Sequence, residues 1–202
     1  MNPARGIAAL GAVAGLFGLG LQYVIMLGSM EPAFAAWRFF AYFTILTNCL
    51  VTLVFVRAAL KPGAEDGLNV PHMELMAFTS ILFVCAVYNI LLAPRWAPEG
   101  WQLVADIVVH QATPILFTLY WFARPHGRIG WKDALFAALW PLGYAAYGLT
   151  RGAFDGFYPY FFMDPSTTPA PQVALNMGGL TLAFIIGALV LVALDRALAR
   201  RG

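Results

Sequence analysis

The sequence predicts an all-α, polytopic membrane protein with six transmembrane helices and both termini in the cytoplasm. The prediction rests on the composition and on the spacing of the charged residues. Of the 202 residues, 61% are hydrophobic and 11% are charged, and the mean hydropathy is +0.73. Soluble domains are about 45–50% apolar and about 25% charged. So few polar side chains cannot cover a water-facing surface, which excludes a soluble enzyme, a nucleic-acid binder and a disordered chain.

The charged residues divide the chain into six long, mainly apolar stretches. Each stretch is close to the roughly 17–25 residues that a membrane-spanning helix needs. The stretches are residues 6–30, 39–56, 75–94, 100–123, 134–150 and 165–194, and only the fourth contains a charged residue, Asp106. The stretches predict a single transmembrane domain over residues 1–202, with helices at about residues 7–28, 38–56, 75–93, 101–122, 133–149 and 172–194.

The first stretch predicts a retained helix rather than a cleaved signal peptide. Its run of about 22 apolar residues is longer than a normal signal-peptide core. Small residues allow close contact between membrane helices, so we expect the glycines of this stretch to pack against other helices. These glycines are Gly11, Gly15, Gly18 and Gly20.

The distribution of Lys and Arg predicts the orientation of the helices. Cytoplasmic loops of membrane proteins carry an excess of these residues. With the N-terminus inside, three basic residues fall on the outer side, Arg38, Arg95 and Arg151. The other nine fall on the cytoplasmic side: Arg5, Arg57, Lys61, Arg124, Arg128, Lys132, Arg196, Arg200 and Arg201.

Two of the connections differ strongly in composition. The connection at residues 57–72 contains proline, glycine and acidic residues and predicts a solvated cytoplasmic turn. The connection at residues 151–172, on the outer side, is rich in aromatic residues, which suit a membrane interface. It is either an aromatic belt or a lid through which a lipid reaches the interior. Its aromatic residues are Phe154, Phe157, Tyr158, Tyr160, Phe161 and Phe162.

The fourth stretch carries the most informative polar residues. An Asp near the centre of a membrane helix costs about 2.5–3.5 kcal/mol on insertion scales, which favours a functional role for Asp106. His110 lies one helical turn later, so the carboxylate can fix the tautomer of the imidazole. Pro114 cannot donate a hydrogen bond to the His110 carbonyl, and this predicts a kink. The alternative for His110 is a structural hydrogen bond between helices. Three further residues share this face: Gln102, Thr113 and Phe117.

A second set of polar residues is predicted to lie at the same depth. Thr44 and Asn48 share one face of the second helix. At a rise of about 1.5 Å per residue, Thr44 lies about 9 Å below the point where its helix enters the membrane from the outer side, and His110 lies about 14 Å below the corresponding point of its own helix. The set predicts a polar pocket in the outer half of the bilayer, completed by Asn89, Tyr144, Tyr147 and Asn176. No comparable set is expected in the cytoplasmic half, where His72 and His126 are expected to be solvated loop residues.

These residues can perform acyl transfer. A hydroxyl is a poor nucleophile until a base takes its proton, so Thr44, His110 and Asp106 could act as nucleophile, base and orienting group. Asn48, Asn89 or backbone amides at the kink could stabilise the oxyanion. The chain lacks the Gly-x-Ser-x-Gly elbow of serine hydrolases. Two alternatives therefore stay open: a proton-linked carrier with Asp106 and His110 as relay, and a non-catalytic lipid-binding membrane protein.

Three short motifs carry a resemblance to a known family. They are Trp37-Arg38-Phe39 leading into Phe43-Thr44, the segment from His110 to Pro114, and Gly156-Phe157-Tyr158-Pro159. In these motifs and in helix count, over essentially the full chain, the sequence resembles the androgen-induced and androgen-dependent six-helix membrane proteins and their small bacterial relatives. The eukaryotic members are threonine hydrolases that cleave fatty acid esters of hydroxy fatty acids.

The resemblance implies an intramembrane hydrolase of lipid esters. It implies Thr44 as the nucleophile and His110 as the base, with support from Asp106 and Asn48. We expect the pocket to include Arg38, Asn89, Tyr144, Tyr158 and Asn176. The expected partners are a lipid or fatty acyl ester and the bilayer, without nucleic acid, metal or other cofactor. The expected location is a bacterial inner membrane, with the site toward the periplasmic leaflet. The oligomeric state is left open.

Overall fold

The computed structural model describes residues 3–200, and in this part of the chain all regular structure is helical. The predicted all-α class is confirmed. Two π-helical turns follow α4 and α5, at Tyr88–Leu92 and Val108–Ala112. The α-helices are α1 Pro3–Leu27, α2 Pro32–Phe39, α3 Phe43–Leu60, α4 Pro71–Val87, α5 Gly100–Ile107, α6 Thr113–Phe122, α7 Trp131–Ala137, α8 Leu139–Asp155 and α9 Ala170–Ala199.

Five helical segments within residues 3–200 are long and apolar enough to cross a membrane. They are Pro3–Leu27, Phe43–Leu60, Pro71–Arg95, Gly100–Phe122 and Ala170–Ala199, and they correspond to five of the six predicted helices. The remaining predicted helix, the fifth in chain order at 133–149, is divided at Ala138 into α7 and α8, of 7 and 17 residues. Pro141 explains the division, because a proline cannot donate to the carbonyl four residues earlier.

The second predicted helix begins later than expected. The sequence predicts its start at residue 38, but Arg38 belongs to the separate short helix α2, and the spanning helix α3 begins at Phe43. Carbonyl groups at the end of a helix have no partner within the helix. Here α8 provides the partners, because the Tyr147 hydroxyl donates to the Phe40 carbonyl at 3.1 Å and the Tyr144 hydroxyl donates to the Ala41 carbonyl at 3.0 Å.

Helix α1 packs closely against α3 through its glycines. A Cβ at Gly11 would lie 2.5 Å from the Phe55 ring, and a Cβ at Gly15 would lie 2.1 Å from Thr52 Oγ1. Positions 11 and 15 approach α3 in reverse order of sequence, so the two helices are antiparallel. Gly18 meets Val108 in the same way, and these three glycines confirm the packing prediction. Gly20 has no neighbour within 4 Å and does not share this role.

The two ends of the bundle differ in chemistry. We call the end that holds the start of α1 and the end of α9 the terminal end, and the opposite end the loop end. The loop end carries α2 and the aromatic loop, which we define as residues 156–169 between α8 and α9. Between the two ends, an aromatic core is formed by Phe55, Phe78 and Phe117, all of which are buried.

The terminal end contains a buried polar network, whereas the sequence predicts no polar set in the half with the termini that is comparable to the one at the opposite end. Glu74 forms an ion pair with Arg124 and accepts a hydrogen bond from the Tyr120 hydroxyl at 3.1 Å. The Asn69 amide donates to the same Glu74 carboxylate at 3.1 Å. The residues come from α4, from the end of α6 and from two connections, so their proximity depends on the tertiary fold.

His126 is also part of the terminal end, and the expectation of a solvated loop residue is wrong for it. Its Nδ1 lies 3.1 Å from a carboxylate oxygen of Asp195, and its side chain is 13% exposed. Asp195 also accepts hydrogen bonds from the backbone N–H groups of Gly127 and Ile129. A carboxylate on α9 therefore fixes the connection between α6 and α7. His72 packs edge-on against the Phe136 ring, with centroids 4.6 Å apart.

Candidate functional site

Thr44 is the second residue of α3, which begins at Phe43 after the extended residue Tyr42. Its backbone N–H donates to the Tyr160 hydroxyl at 3.3 Å, and its Oγ1 lies 3.5 Å from the same hydroxyl. The first N–H groups of a helix have no partner within the helix, and the helix dipole favours negative charge at this end. Thr44 therefore combines a hydroxyl with a backbone donor that can stabilise a developing anion.

Tyr160 comes from the aromatic loop and reaches into the bundle. It is buried, and its ring stacks on Phe162 with centroids 5.2 Å apart. Burial raises the pKa of Tyr160 to about 12, although its hydrogen bonds with Thr44 act in the opposite direction. The hydroxyl therefore keeps its proton at neutral pH and can donate a hydrogen bond as well as accept one.

Thr44 and Tyr160 line a small, mainly apolar cavity of about 50 Å³ between α3, α4, α8 and α9. Its wall contains three other polar residues, Tyr88, Tyr144 and Thr181. Tyr144 donates to the Ala41 carbonyl, and Thr181 donates to the Met177 carbonyl. The apolar part of the wall suits a hydrocarbon chain. It is formed by Phe43, Phe83, Val84, Val87, Leu92, Pro141, Phe162, Met177 and Leu180.

An apolar groove lies beside this cavity. It has a volume of about 430 Å³ and lies between α4 and α9. Phe83, Val87 and Leu180 line both the groove and the cavity, so the two spaces are adjacent.

His110 lies in the π-helical turn after α5 and contacts Asp106, as the one-turn spacing predicts. Its Nδ1 lies 3.1 Å from the Asp106 carbonyl oxygen and 3.3 Å from the carboxylate Oδ1. The other carboxylate oxygen accepts a hydrogen bond from the Tyr88 hydroxyl at 2.5 Å, and the Tyr88 ring stacks on the imidazole at 3.7 Å. An imidazole that donates through Nδ1 presents Nε2 as a base.

The π-helical turn at Val108–Ala112 agrees with the predicted effect of Pro114, which cannot donate to the His110 carbonyl. A matching π-helical turn directly after α4 starts at Tyr88. Such turns are frequent at functional sites because they re-aim side chains and disturb the regular hydrogen bonds of the helix. Here the stacked rings of Tyr88 and His110 bring the two irregular turns together.

Within residues 3–200, Thr44 and His110 do not form a hydrogen bond with each other. The Thr44 hydroxyl lies within hydrogen-bonding distance of the Tyr160 hydroxyl. Asn48 connects the two regions instead. Its amide donates to the Thr44 carbonyl at 2.9 Å and to the Val109 carbonyl at 3.2 Å. The start of α3 is thus adjacent to the turn that carries His110, and the catalytic pairing of Thr44 with His110 stays a prediction.

Two of the residues expected in the pocket hold the aromatic loop in place. Arg38 forms an ion pair with Asp155 at 3.4 Å, and its guanidinium lies 4.0 Å from the centroid of the Phe157 ring. Asn176 on α9 donates to the Phe162 carbonyl at 2.9 Å. Both residues position the loop that carries Tyr160, and neither lines the cavity.

The other expected pocket residues divide between the cavity wall and its surroundings. Tyr144 lines the cavity as expected. Asn89 is exposed on α4, where it donates to the Cys85 carbonyl at 2.7 Å. Tyr158 packs directly on Gly152, where an added Cβ would lie 2.2 Å from the ring.

Tyr88 and Tyr160 are the two site residues that sequence reasoning missed. A tyrosine in an apolar segment usually has a partner for its hydroxyl when it is buried. This rule marks Tyr88 as a candidate, but it cannot identify Asp106 as the partner. Tyr160 lies in the connection that was predicted to act as a belt or a lid, and its contact with Thr44 spans 116 residues of sequence.

Comparisons with known proteins give no match for this chain. No protein-family model, no curated protein and no solved structure matches it. Its function therefore has to be inferred from the geometry around Thr44 and His110 and from the resemblance in its motifs.

Proposed function

We propose that the chain is an intramembrane hydrolase of lipid esters, with fatty acid esters of hydroxy fatty acids or similar acyl esters as substrates. The observation that carries the proposal is the position of the Thr44 hydroxyl, at the N-terminus of α3 and in the wall of an apolar cavity. A nearby imidazole held by a carboxylate, His110 with Asp106, gives further support. The motif resemblance supports the same chemistry.

In the proposed reaction, the acyl chain lies in the apolar groove and the ester carbonyl reaches Thr44. His110 takes the Thr44 proton through Nε2 while Oγ1 bonds to the carbonyl carbon, and the oxyanion is stabilised by the Thr44 N–H and the Tyr160 hydroxyl. The bond between the carbonyl carbon and the leaving alcohol then breaks, and His110 donates the proton to that alcohol. A water molecule next attacks the acyl-threonine carbonyl while His110 takes a proton from the water. The bond to Thr44 Oγ1 breaks as His110 returns this proton to Oγ1, and the fatty acid leaves.

This reaction requires the Thr44 hydroxyl to change its hydrogen-bond partner from Tyr160 to His110 when substrate binds. In enzymes without substrate, catalytic hydrogen bonds are often long or poorly aligned, and they tighten in the substrate complex. Asp106 has the role of holding the imidazole tautomer, and Asn48 has the role of keeping α3 beside the turn that carries His110.

The proposal includes a sixth membrane crossing. Helices α7 and α8 follow each other with a single break at Ala138, and together they extend over Trp131–Asp155. With this crossing, both termini lie on the side that carries most of the Lys and Arg residues, which we propose is the cytoplasm. The cavity then faces the outer leaflet, which is the periplasmic leaflet if the membrane is a bacterial inner membrane.

The test is hydrolysis of a fluorogenic medium-chain ester and of a branched fatty acid ester by the purified protein in detergent. Thr44→Val and His110→Ala are each expected to abolish turnover without loss of thermal stability. The matched control is Thr181→Val, because Thr181 lines the same cavity but donates its hydroxyl to the Met177 carbonyl. Turnover that survives in Thr44→Val would remove Thr44 from the role of nucleophile.

A non-catalytic lipid-binding protein is the second candidate. It is favoured by one observation, the pairing of the Thr44 hydroxyl with Tyr160 instead of His110. Under this alternative the wild-type protein retains a fatty acid ester without cleaving it, and Thr44→Val retains the ester equally well. Mass spectrometry of the lipid recovered after incubation separates the two functions, because a hydrolase returns free fatty acid.

A further inference from the structure

A polar cavity lies at the terminal end, separate from the cavity at Thr44. It has a volume of about 170 Å³ and is bounded by the start of α1, the ends of α3 and α6, and the connections that follow α3 and α6. One ordered water needs about 10–15 Å³, so the cavity has room for a larger ligand. Its charged and polar wall residues include Arg5, Lys61, Glu65, Asn69, Arg124 and Arg128.

The charges in this cavity are not balanced. Arg128 pairs with Glu65, and Arg124 pairs with Glu74 as described above. Arg5 and Lys61 have no carboxylate partner among residues 3–200, although Arg5 donates through Nε to a backbone carbonyl. Two positive charges in the wall are therefore available to an anion.

The cavity also contains a buried acceptor without a donor. Asn69 is 2% exposed, and its amide nitrogen lies within hydrogen-bonding distance of three acceptors, including the Tyr120 hydroxyl at 3.3 Å. Among residues 3–200, its Oδ1 has no hydrogen-bond partner. A buried polar atom in a native structure is normally paired with protein, with water or with a ligand. The vacant acceptor suits a hydroxyl group.

An anion that also carries a hydroxyl satisfies both features. Phosphate groups pair well with Arg and Lys side chains, and basic cavities between helix ends at the membrane surface bind anionic lipid headgroups. A headgroup such as phosphoglycerol offers acidic oxygens to Arg5 and Lys61 and a hydroxyl to Asn69. A free phosphate monoester offers the same two features.

We propose that this cavity is a binding site for a phosphate-bearing anion with a hydroxyl donor, held by Arg5, Lys61 and Asn69. The ligand is the headgroup of an anionic phospholipid or a free phosphate compound. The proposal does not depend on hydrolysis at Thr44, since the two cavities share no wall residue.

The experiment measures dissociation constants for the full chain in neutral detergent. The lipid probe is dioctanoyl phosphatidylglycerol, with dioctanoyl phosphatidylcholine as a lipid of no net charge, and the free probes are glycerol 3-phosphate and inorganic phosphate. Lys61→Gln and Arg5→Gln remove the two unpaired charges. The matched control is Lys132→Gln, because Lys132 is an exposed cation near the terminal end that does not line the cavity.

We expect phosphatidylglycerol to bind at least about tenfold more tightly than phosphatidylcholine, a difference of about 1.4 kcal/mol. Lys61→Gln and Arg5→Gln should each reduce this preference at least about threefold, and Lys132→Gln should leave it unchanged. If instead a free probe binds, and its binding is weakened by Lys61→Gln and Arg5→Gln, the result supports the site and identifies its ligand as a free phosphate compound. Equal binding of both lipids together with no variant-sensitive binding of the free probes overturns the proposal. Equal weakening by Lys132→Gln also overturns it, because the effect then comes from general surface charge.

Discussion

Replacing Asp195 with alanine is predicted to destabilise the fold. The side chain is 2% exposed and accepts hydrogen bonds from Gly127 N at 2.9 Å and Ile129 N at 3.3 Å, while His126 Nδ1 lies 3.1 Å away. All three partners belong to the connection between α6 and α7. One carboxylate on α9 therefore holds this connection against the bundle.

The magnitude follows from the groups that lose their acceptor. Asp195→Ala leaves the buried Ile129 N–H without a partner, which costs about 1–3 kcal/mol in the free energy of unfolding, whereas the N–H of the exposed Gly127 can pair with water. For a chain of 150–250 residues, each kcal/mol lowers Tm by about 2–4 °C. We therefore expect a decrease in Tm of at least about 2 °C.

The assay is heating of the purified protein in detergent, followed by size-exclusion chromatography with tryptophan fluorescence. Glu99→Ala is the control, because Glu99 is exposed and its side chain makes no capping hydrogen bond to α5. Its Tm should stay close to the wild-type value, since exposed substitutions usually change stability by less than about 0.5 kcal/mol. A Tm of Asp195→Ala equal to that of Glu99→Ala would show that the contacts of the carboxylate do not stabilise the connection.

Three further predictions concern the site and the packing of α1. Tyr160→Phe should lower kcat at least about tenfold with little change in KM, because loss of one oxyanion donor reduces kcat by about 10²–10³; an unchanged or higher kcat in the ester assay contradicts this role. Asp106→Asn should also lower kcat at least about tenfold at unchanged Tm, since the neutral amide cannot stabilise a protonated imidazole; an equal kcat argues for a purely structural carboxylate. Gly15→Ala should lower Tm because its Cβ meets Thr52 at 2.1 Å, and overpacking costs about 1–3 kcal/mol. Gly20→Ala, with no atom within 4 Å, should not lower Tm, and equal Tm values for the two variants would contradict the close packing.

Hydrophobic stretches were sufficient to predict most of the fold. A helix that crosses a membrane must satisfy its own backbone and bury no charge in lipid, so apolar length is a strong signal. The sequence predicts no break at Ala138, because the stretch from 134 to 150 contains no charged residue and its length suits one helix, despite Pro141. It also does not predict the separation of α2 from α3. That separation depends on Tyr144 and Tyr147, which donate to the backbone carbonyls between the two helices.

The candidate site was predictable only where its residues are close in sequence. Helical periodicity places Asp106 and His110 on one face, and the structure shows their contact. The contact between Thr44 and Tyr160 depends on the path of the aromatic loop, and hydrophobicity carries no information on that path. The position of Asp195 beside His126 likewise spans 69 residues of sequence and requires α9 to lie against the connection between α6 and α7.

The Tyr160 hydroxyl links substrate binding to the release of the proposed nucleophile. It accepts the Thr44 N–H and also lies within hydrogen-bonding distance of Oγ1. In the proposed reaction, an ester carbonyl replaces it as the acceptor of the Thr44 N–H, which frees Oγ1 to turn toward His110. Because its pKa is raised to about 12, Tyr160 keeps its proton and can then donate to that same carbonyl oxygen. The aromatic loop then restrains the proposed nucleophile before substrate binds and stabilises the oxyanion afterwards, through a contact that spans 116 residues of sequence.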